Sequence, residues 1–595
     1  MQPILVHLAL LLPYSVQASF RYSAKGSKPH RAGAGISGEP GQGHVVLPVH
    51  IYPSTGMDTP FPSGGLTTNC YPLVTARMEV RDFFTDKNAM QMSLFLLAFA
   101  TIEAKEASDP RSFGQIASIH GAPNMVYDSY PGAKPKDGYC LHGSPLFPNW
   151  HRPYIGLIEN SVYETAQDIA AQYTTNSAQW KAAAKSLRFP HWDWAHIAGY
   201  DEPMPAIFTT SQVKVLAPPS AAAKTIANPL KGFKIPNKIY NRNSFNSKGQ
   251  TTTREQDGFD SDTVDQLRGM LRVLFDGTVQ DWQDFSNHAF DKEHSKRAGN
   301  YHSLEYIHDQ VHGAIGGHMG DPDTAAYDPI FFFHHANVDR LLEIYERIFN
   351  GFPDASHAGQ GLKPFRKSSS GSWTATDAKS TVSLGYSYSG LDDNNAMTLK
   401  SLMLQTYSDQ TNSNLRRDHK STAIKPLMAS GLHRIAYEQP DAYDNGTWTM
   451  AIYDNGPEEA AYVHFQTHKN ALGKPFFVQV YVHGKLAGES YVFAMVDSQE
   501  MSVRLAGNVE ITDAMEVSGL LYVDHDQWAT VWGGALQMRI VDAQRRPCSR
   551  DEFEKLELEA CVHHVTHHHM DQSYQGEDIS EWHEDVVELD ISYWA

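Results

Sequence analysis

DPIFFFHHANVDRLLEIYERIF, residues 328–349, decides how this 595-residue chain is read. Phe331, Val338, Leu341, Leu342, Tyr345 and Ile348 recur at helical spacing, which predicts an amphipathic helix opened by His335, with Asp339 and Arg340 one turn on. Just upstream, YHSLEYIHDQVHG puts His308 and His312 four residues apart in a second helical pattern. That spacing places both imidazoles on one face, where they can share a metal ion. His335, arriving from the neighbouring helix, would complete a trigonal set of neutral nitrogens, a donor set suited to a borderline metal such as copper. A second set repeats the pattern nearer the N-terminus. His120 ends the helix-like run FGQIASIHG, His142 sits in the loop CLHGSPLFP, and His151 opens the helix WHRPYIGLIE. Two three-histidine sites carried by four helices are the expected arrangement of a binuclear centre inside a helical bundle.

The segments around these histidines resemble the two copper-binding regions of the tyrosinase, catechol oxidase and hemocyanin family. Cys140-Leu141-His142-Gly143-Ser144, Phe147-Pro148 and Trp150-His151-Arg152-Pro153-Tyr154 resemble the first region. Asp328-Pro329, Phe331, His334-His335 and Val338-Asp339-Arg340 resemble the second. The resemblance implies two copper ions with dioxygen as co-substrate, and makes His335, not His334, the ligand of the adjacent pair. His191, His196, His302 and His318 have no place in that ligand pattern and are read as structural. The resemblance further implies a thioether between Cys140 and His142, fixing the ring as a neighbouring contact would. It places Glu305 and Asp309 where a water that takes the phenol proton is held, with the orientation of ligand rings or backbone hydrogen bonding as their other role. Phe331 and Gly313 would line the pocket, Arg77 would pair with Asp339, and Tyr386-Ser387-Tyr388 would close the catalytic core. The implied activity is that of a tyrosinase: ortho-hydroxylation of monophenols and oxidation of o-diphenols to o-quinones. A catechol oxidase, an o-aminophenol oxidase and a hemocyanin-like oxygen carrier are the rival readings.

Outward from the histidines, the chain divides by periodicity. Residues 1–18 carry an apolar run ending in Val16-Gln17-Ala18, which reads as a signal peptide and makes secretion the expectation, with a cytoplasmic protein the alternative. Residues 19–69 are rich in Gly, Pro and Ser and read as an extended segment. Residues 70–390 form the expected mainly α catalytic domain, a four-helix bundle with long loops. Residues 391–431 are a polar linker containing Arg416-Arg417, a candidate cleavage region. From 432 to 595 the period switches toward two in WTMAIYD, AYVHFQTH, PFFVQVYVHG and ESYVFAMV, which predicts an antiparallel β-sandwich or barrel. The resemblance to fungal tyrosinases implies that this second domain shields the active site until an activating protease acts.

The remaining features set bounds. A net charge of −19 and the lack of a basic cluster argue against nucleic acid as a partner. No segment after the first has the apolar length of a membrane helix; small phenolic molecules are the partners that the resemblance implies. With four cysteines, and Cys140 committed to the thioether, at most one disulfide can form. Cys548 and Cys561 are the nearest pair by spacing, and free thiols are equally open. The tract CVHHVTHHH, Cys561 to His569, is a candidate for copper loading or a solvated tail. Asn445-Gly446-Thr447 is a glycosylation sequon.

Overall fold

In the computed structural model the described residues are 74–123, 125–131, 138–196, 202–240, 249–255, 258–277, 279, 281–289, 302–368, 371–391, 395–407, 458–494, 503–521, 528–568 and 581–588. The signal-like segment, Arg416-Arg417 and the Asn445 sequon lie outside them. No described helix is long and apolar enough to cross a membrane.

Helices Ala89–Glu103, Phe147–Ala170, Leu304–Ile315 and Ile330–Phe349 pack together at the centre of the first core. Their ends follow local rules. Ser303 accepts a hydrogen bond from the Tyr306 N–H and caps the Leu304 helix, which stops at Gly316 with φ +61°. Pro329 at the N-cap and the Asp328 carboxylate, which accepts the Ile330 N–H at 3.1 Å, start the next helix. Two helices start earlier than periodicity alone suggests, at Ile330 and, with Pro148 in its first turn, at Phe147, so His335 and His151 sit in their second turns. His120 follows the short helix Phe113–Ala117, and His142 lies in a loop as expected. The six candidate ligands are therefore carried by three helices and two irregular segments rather than four helices. Residues 396–406, read as part of the linker, form a helix that buries Leu399 and Met403. The Tyr407 hydroxyl then donates to Asp193 at 3.0 Å, so this stretch packs on the first core.

The start and end of this core are joined through one carboxylate. Thr75–Arg77 pairs in parallel with Tyr386–Tyr388, bringing Arg77, Tyr386 and Tyr388 over the Ile330 helix. Asp339 receives Arg77 Nη1 at 3.1 Å, Arg152 Nε at 2.5 Å and both tyrosine hydroxyls at 2.6 Å. Arg77 also holds Glu159 at 2.8 Å. The expected Arg77–Asp339 pair is present and widened to a network tying four segments together.

The C-terminal part is two antiparallel sheets. One has strands Arg504–Glu510, Glu458–His468, Glu559–His568 and Glu581–Glu588 in that spatial order; the other has Leu536–Asp542, Phe476–Val482 and Lys485–Val492. Neither sheet closes, so of the two expected forms this is the sandwich. Alternation works as the period of two requires: Phe476, Val478 and Val480 enter the sandwich core, whereas Phe477 packs on the helical core together with Tyr491 and Phe493. Cys548 and Cys561 are not joined to each other; Cys561 Sγ lies 3.0 Å from His563 Nε2.

Asp339→Asn keeps the shape but removes the carboxylate charge that two buried guanidinium groups share, leaving Arg77 with Glu159 and Arg152 with Glu343 and Glu346. The expected loss of unfolding free energy is about 3–5 kcal/mol, read by denaturant titration of the purified chain.

Candidate metal centre

Two groups of donors, all buried but for the half-buried Cys140 and His142, stand side by side: His120, Cys140, His142 and His151, and His308, His312, His334 and His335. Main-chain carbonyls set the ring orientations. His120 Nδ1 lies 3.0 Å from Pro322 O, His151 Nδ1 2.8 Å from Phe147 O, and His312 Nδ1 2.7 Å from Met319 O. His308 Nδ1 is 3.0 Å from Asp309 Oδ1. A carbonyl or carboxylate only accepts, so each Nδ1 carries the proton and Nε2 keeps its lone pair for a metal. His312 Nε2 is buried with no hydrogen-bond partner, an orphan that a metal ion would satisfy.

The loop after the Leu304 helix orients one ring of each group. It reaches His120 because Gly121 allows contact: a Cβ there would lie 2.5 Å from the Asp323 backbone. The groups touch through His151 and His335, whose rings stack with centroids 4.1 Å apart at 15°. Within the second group, His308 Nε2 and His335 Nε2 are 3.2 Å apart. Burial pushes His142, His151, His308, His312, His334 and His335 well below the usual histidine range, and their mutual repulsion adds to it. Neutral imidazoles are the form that binds metal. The donor set therefore fits two copper ions, one per group.

His334 stacks on His308 at 5.0 Å and stands among the second group's donors, so the structure draws in both histidines of the pair. His335 alone of the two also contacts the first group. Cys140 Sγ is 3.6 Å from His142 Nε2 and 3.4 Å from His151 Nε2, a free thiol within reach of the His142 ring. Phe331 packs against His335 at 4.1 Å and His120 at 4.8 Å. The histidines read as structural have other partners: His318 Nδ1 accepts the Thr253 N–H at 3.1 Å, His191 packs on Tyr388, and His302 on Tyr462. His196 belongs to neither donor group among the described residues.

Glu305 and Asp309 are fully buried, and both do local work. Glu305 accepts the Gly143 N–H with its two oxygens at 2.8 and 3.0 Å, fixing the loop that carries His142. Burial raises its carboxyl well into the neutral range. Asp309 orients His308, and its other oxygen lies 2.8 Å from Nδ1 of His288.

Three residues that the sequence did not single out come from or meet the β domain. Phe493 is fully buried over the metal groups, stacked on His312 at 4.3 Å and edge-on to His142 at 5.7 Å and His308 at 5.9 Å. Gln310 holds it there by pairing with the backbone of Tyr491: Oε1 accepts the Tyr491 N–H at 2.8 Å and Nε2 donates to Tyr491 O at 3.1 Å. The Tyr491 ring lies against Gly313, where a Cβ would come within 2.4 Å of it, and its hydroxyl donates to Gly320 O. Gly313, expected to line the pocket, thus receives the β domain. The only signal in the sequence was ESYVFAMV itself, whose alternation cannot say which neighbour its second face meets.

Such a site defines a binuclear histidine metal centre in a helical core, capped by a separate β domain. Residues 110–348 match the family Tyrosinase, described as the common central domain of tyrosinase. That match spans the region that carries both histidine groups. Polyphenol oxidase 4 of Agaricus bisporus is 31% identical over 362 residues, covering 54% of this chain and 56% of that one. A tyrosinase of Neurospora crassa is 29% identical over 385 residues, 56% of this chain and 54% of its own length. The chain thus spans a little over half the length of these relatives. In three dimensions it is similar to a pro-tyrosinase of Aspergillus oryzae, with a TM-score of 0.68, 21% identity, and coverage of 93% of this chain and 99% of that one. The shared fold includes the C-terminal sheets.

His142→Ala and His312→Ala remove one donor from each group. Each is expected to lower tightly held copper from two ions per chain to one, by elemental analysis after dialysis; retention of both ions in either variant would contradict the two-group assignment.

Proposed function

We propose that this chain is a copper-dependent phenol oxidase of the tyrosinase type, made in a latent form. The reading covers ortho-hydroxylation of monophenols and oxidation of o-diphenols to o-quinones, with O2 reduced to water. The observation that carries it is the pair of touching, neutral histidine groups with Phe493 seated on them. Bound copper would supply O2 binding and the exchange of electrons with the phenol. The protein's part is geometric and protonic. His120, His142 and His151 would hold one ion, and His308, His312 and His335 the other, with the rings of His120, His151, His308 and His312 aimed by the oxygens their Nδ1 atoms meet.

A phenol ring would occupy the place of Phe493, stacking on His312 with Phe331 beneath the histidines. Burial suits Glu305 to take a proton from a phenol through water and return it. Cys140, within reach of His142, would form the thioether that locks that ring, the S–H and one ring C–H being lost as the C–S bond forms and the two electrons passing to O2. Latency follows from occupancy, since Phe493 and a substrate ring cannot share one volume. A protease acting between the two cores, in the region of Arg416-Arg417, would release the cover, as the names pro-tyrosinase and latent tyrosinase imply for the structures it is similar to. Export through residues 1–18 is part of the same reading. A diphenol-only oxidase is the second reading, favoured by one contact: both Glu305 oxygens are engaged by Gly143.

Oxygen uptake with a monophenol and its o-diphenol, before and after limited proteolysis, tests the proposal. Both substrates are expected to be consumed after cleavage and neither before. Phe493→Ala should raise diphenol turnover of the uncut chain at least about tenfold by freeing the pocket. Uptake with the diphenol alone would leave the second reading. Full activity in the uncut wild type would sink latency.

A further inference from the structure

Beside Phe493, the β domain places a second side chain at the metal centre, and it is charged. Lys469 follows the strand Glu458–His468 and is 2% exposed, its N–H fixed on Val503 O at 3.0 Å. Its ammonium lies 3.0 Å from Nε2 of His288, a fully buried residue of the helical domain. The His288 segment is itself stitched to the β domain: its carbonyl accepts the Ala506 N–H at 3.3 Å, and Ala289 bridges Leu505 on the edge of the four-stranded sheet. On its other side, His288 Nδ1 lies 2.8 Å from Asp309 Oδ2, and Nε2 lies 3.6 Å from Glu305 Oε1. Asp309 Oδ1 reaches His308 Nδ1 at 3.0 Å. A continuous polar line thus runs from Lys469 through His288 and Asp309 to His308.

An ammonium leaves water only where counter-charges compensate it, and buried carboxylates have the same requirement. Here the cation sits on one domain and the acidic groups nearest His288, Asp309 and Glu305, on the other. Burial holds His288 neutral, pushed down to about 4, so it transmits the contact without adding a charge. Phe493 fills space but offers no such pairing.

We infer that Lys469 is an electrostatic latch: its ammonium, buried against His288 and the Glu305–Asp309 pair, holds the β domain shut over the metal centre independently of the Phe493 plug. Docking the β domain brings the cation to the ligand helix. Releasing the domain leaves the two carboxylates without it and exposes them to water together with the pocket. Only the catalytic consequence rests on the phenol oxidase reading; the latch is a statement about the seam.

The test is amide hydrogen exchange on the full-length, copper-loaded protein, following residues 305–313 and 486–492 across the seam. Lys469→Met is expected to speed exchange there on the order of a hundredfold, and Lys469→Arg to keep it near wild type. Phe493→Ala should open the pocket and leave the seam protected. Unchanged protection in Lys469→Met would overturn the latch. If Lys469→Met and Lys469→Gln both fail to fold, Lys469→Arg decides: a folded, protected seam supports the charge, and failure alongside them assigns Lys469 a role of shape only and overturns the proposal. Phenol oxidation by uncut Lys469→Met is the second readout. An open seam without oxidation would leave the latch standing and count against the phenol oxidase reading instead.

Discussion

The centre depends on keeping six histidines neutral and aimed in a volume that excludes water. A buried imidazole has two nitrogens to satisfy, and for His120, His151, His308 and His312 the chain settles one of them with its own backbone or a carboxylate. Pro322, Met319 and Phe147 offer carbonyls, and Asp309 offers an oxygen. The other nitrogen then has a lone pair and no water, a demand that metal coordination meets. Much of the local architecture serves this tethering. The loop following the Leu304 helix orients His120 and His312 together, Gly121 permits its close approach, and Asp339 holds the Ile330 helix that carries His335. Burial is what makes the arrangement both costly without metal and receptive to it.

The same burial explains the β domain. A pocket formed by apolar rings and bare nitrogens is an exposed liability unless covered, and the cover uses each kind of interaction available. Phe493 stacks on His312, Gln310 pairs with the Tyr491 backbone, and Tyr306 donates to Ser490 at 2.9 Å. Lys469 adds charge where the ligand helix carries two buried carboxylates. Several of these contacts fall on the helix Leu304–Ile315, which also supplies His308 and His312. Cover and metal centre therefore share one element, so a change in docking is felt at the ligands.

The sequence carried the helical core because its signals are local. Spacing of four joined His308 to His312, and the caps at Ser303 and Pro329 lie within a turn of the helices they start. His120 and His142 rested more on the resemblance, since a turn and a loop have no period, and their positions are set by long-range contacts with Pro322 and Glu305. The helix 396–406, itself rich in Leu and Met, was hidden by the polar, Asn- and Ser-rich stretches on either side of it, and it buries Leu399 and Met403. Phe493, Lys469 and His288 were not legible at all. Each acts across a seam between segments far apart in the chain, and a period-two run such as ESYVFAMV states that a face is apolar without stating what it meets. Choosing between sandwich and barrel likewise needed strand order.

The central claim is that the two histidine groups hold two copper ions as one coupled pair. Electron paramagnetic resonance of the full chain loaded with two equivalents of copper(II) tests it most directly, because a ligand-bridged, strongly coupled pair cancels its spins and isolated ions do not. The account predicts a nearly silent spectrum at full copper occupancy. A signal integrating to every copper present would show two independent sites and contradict it.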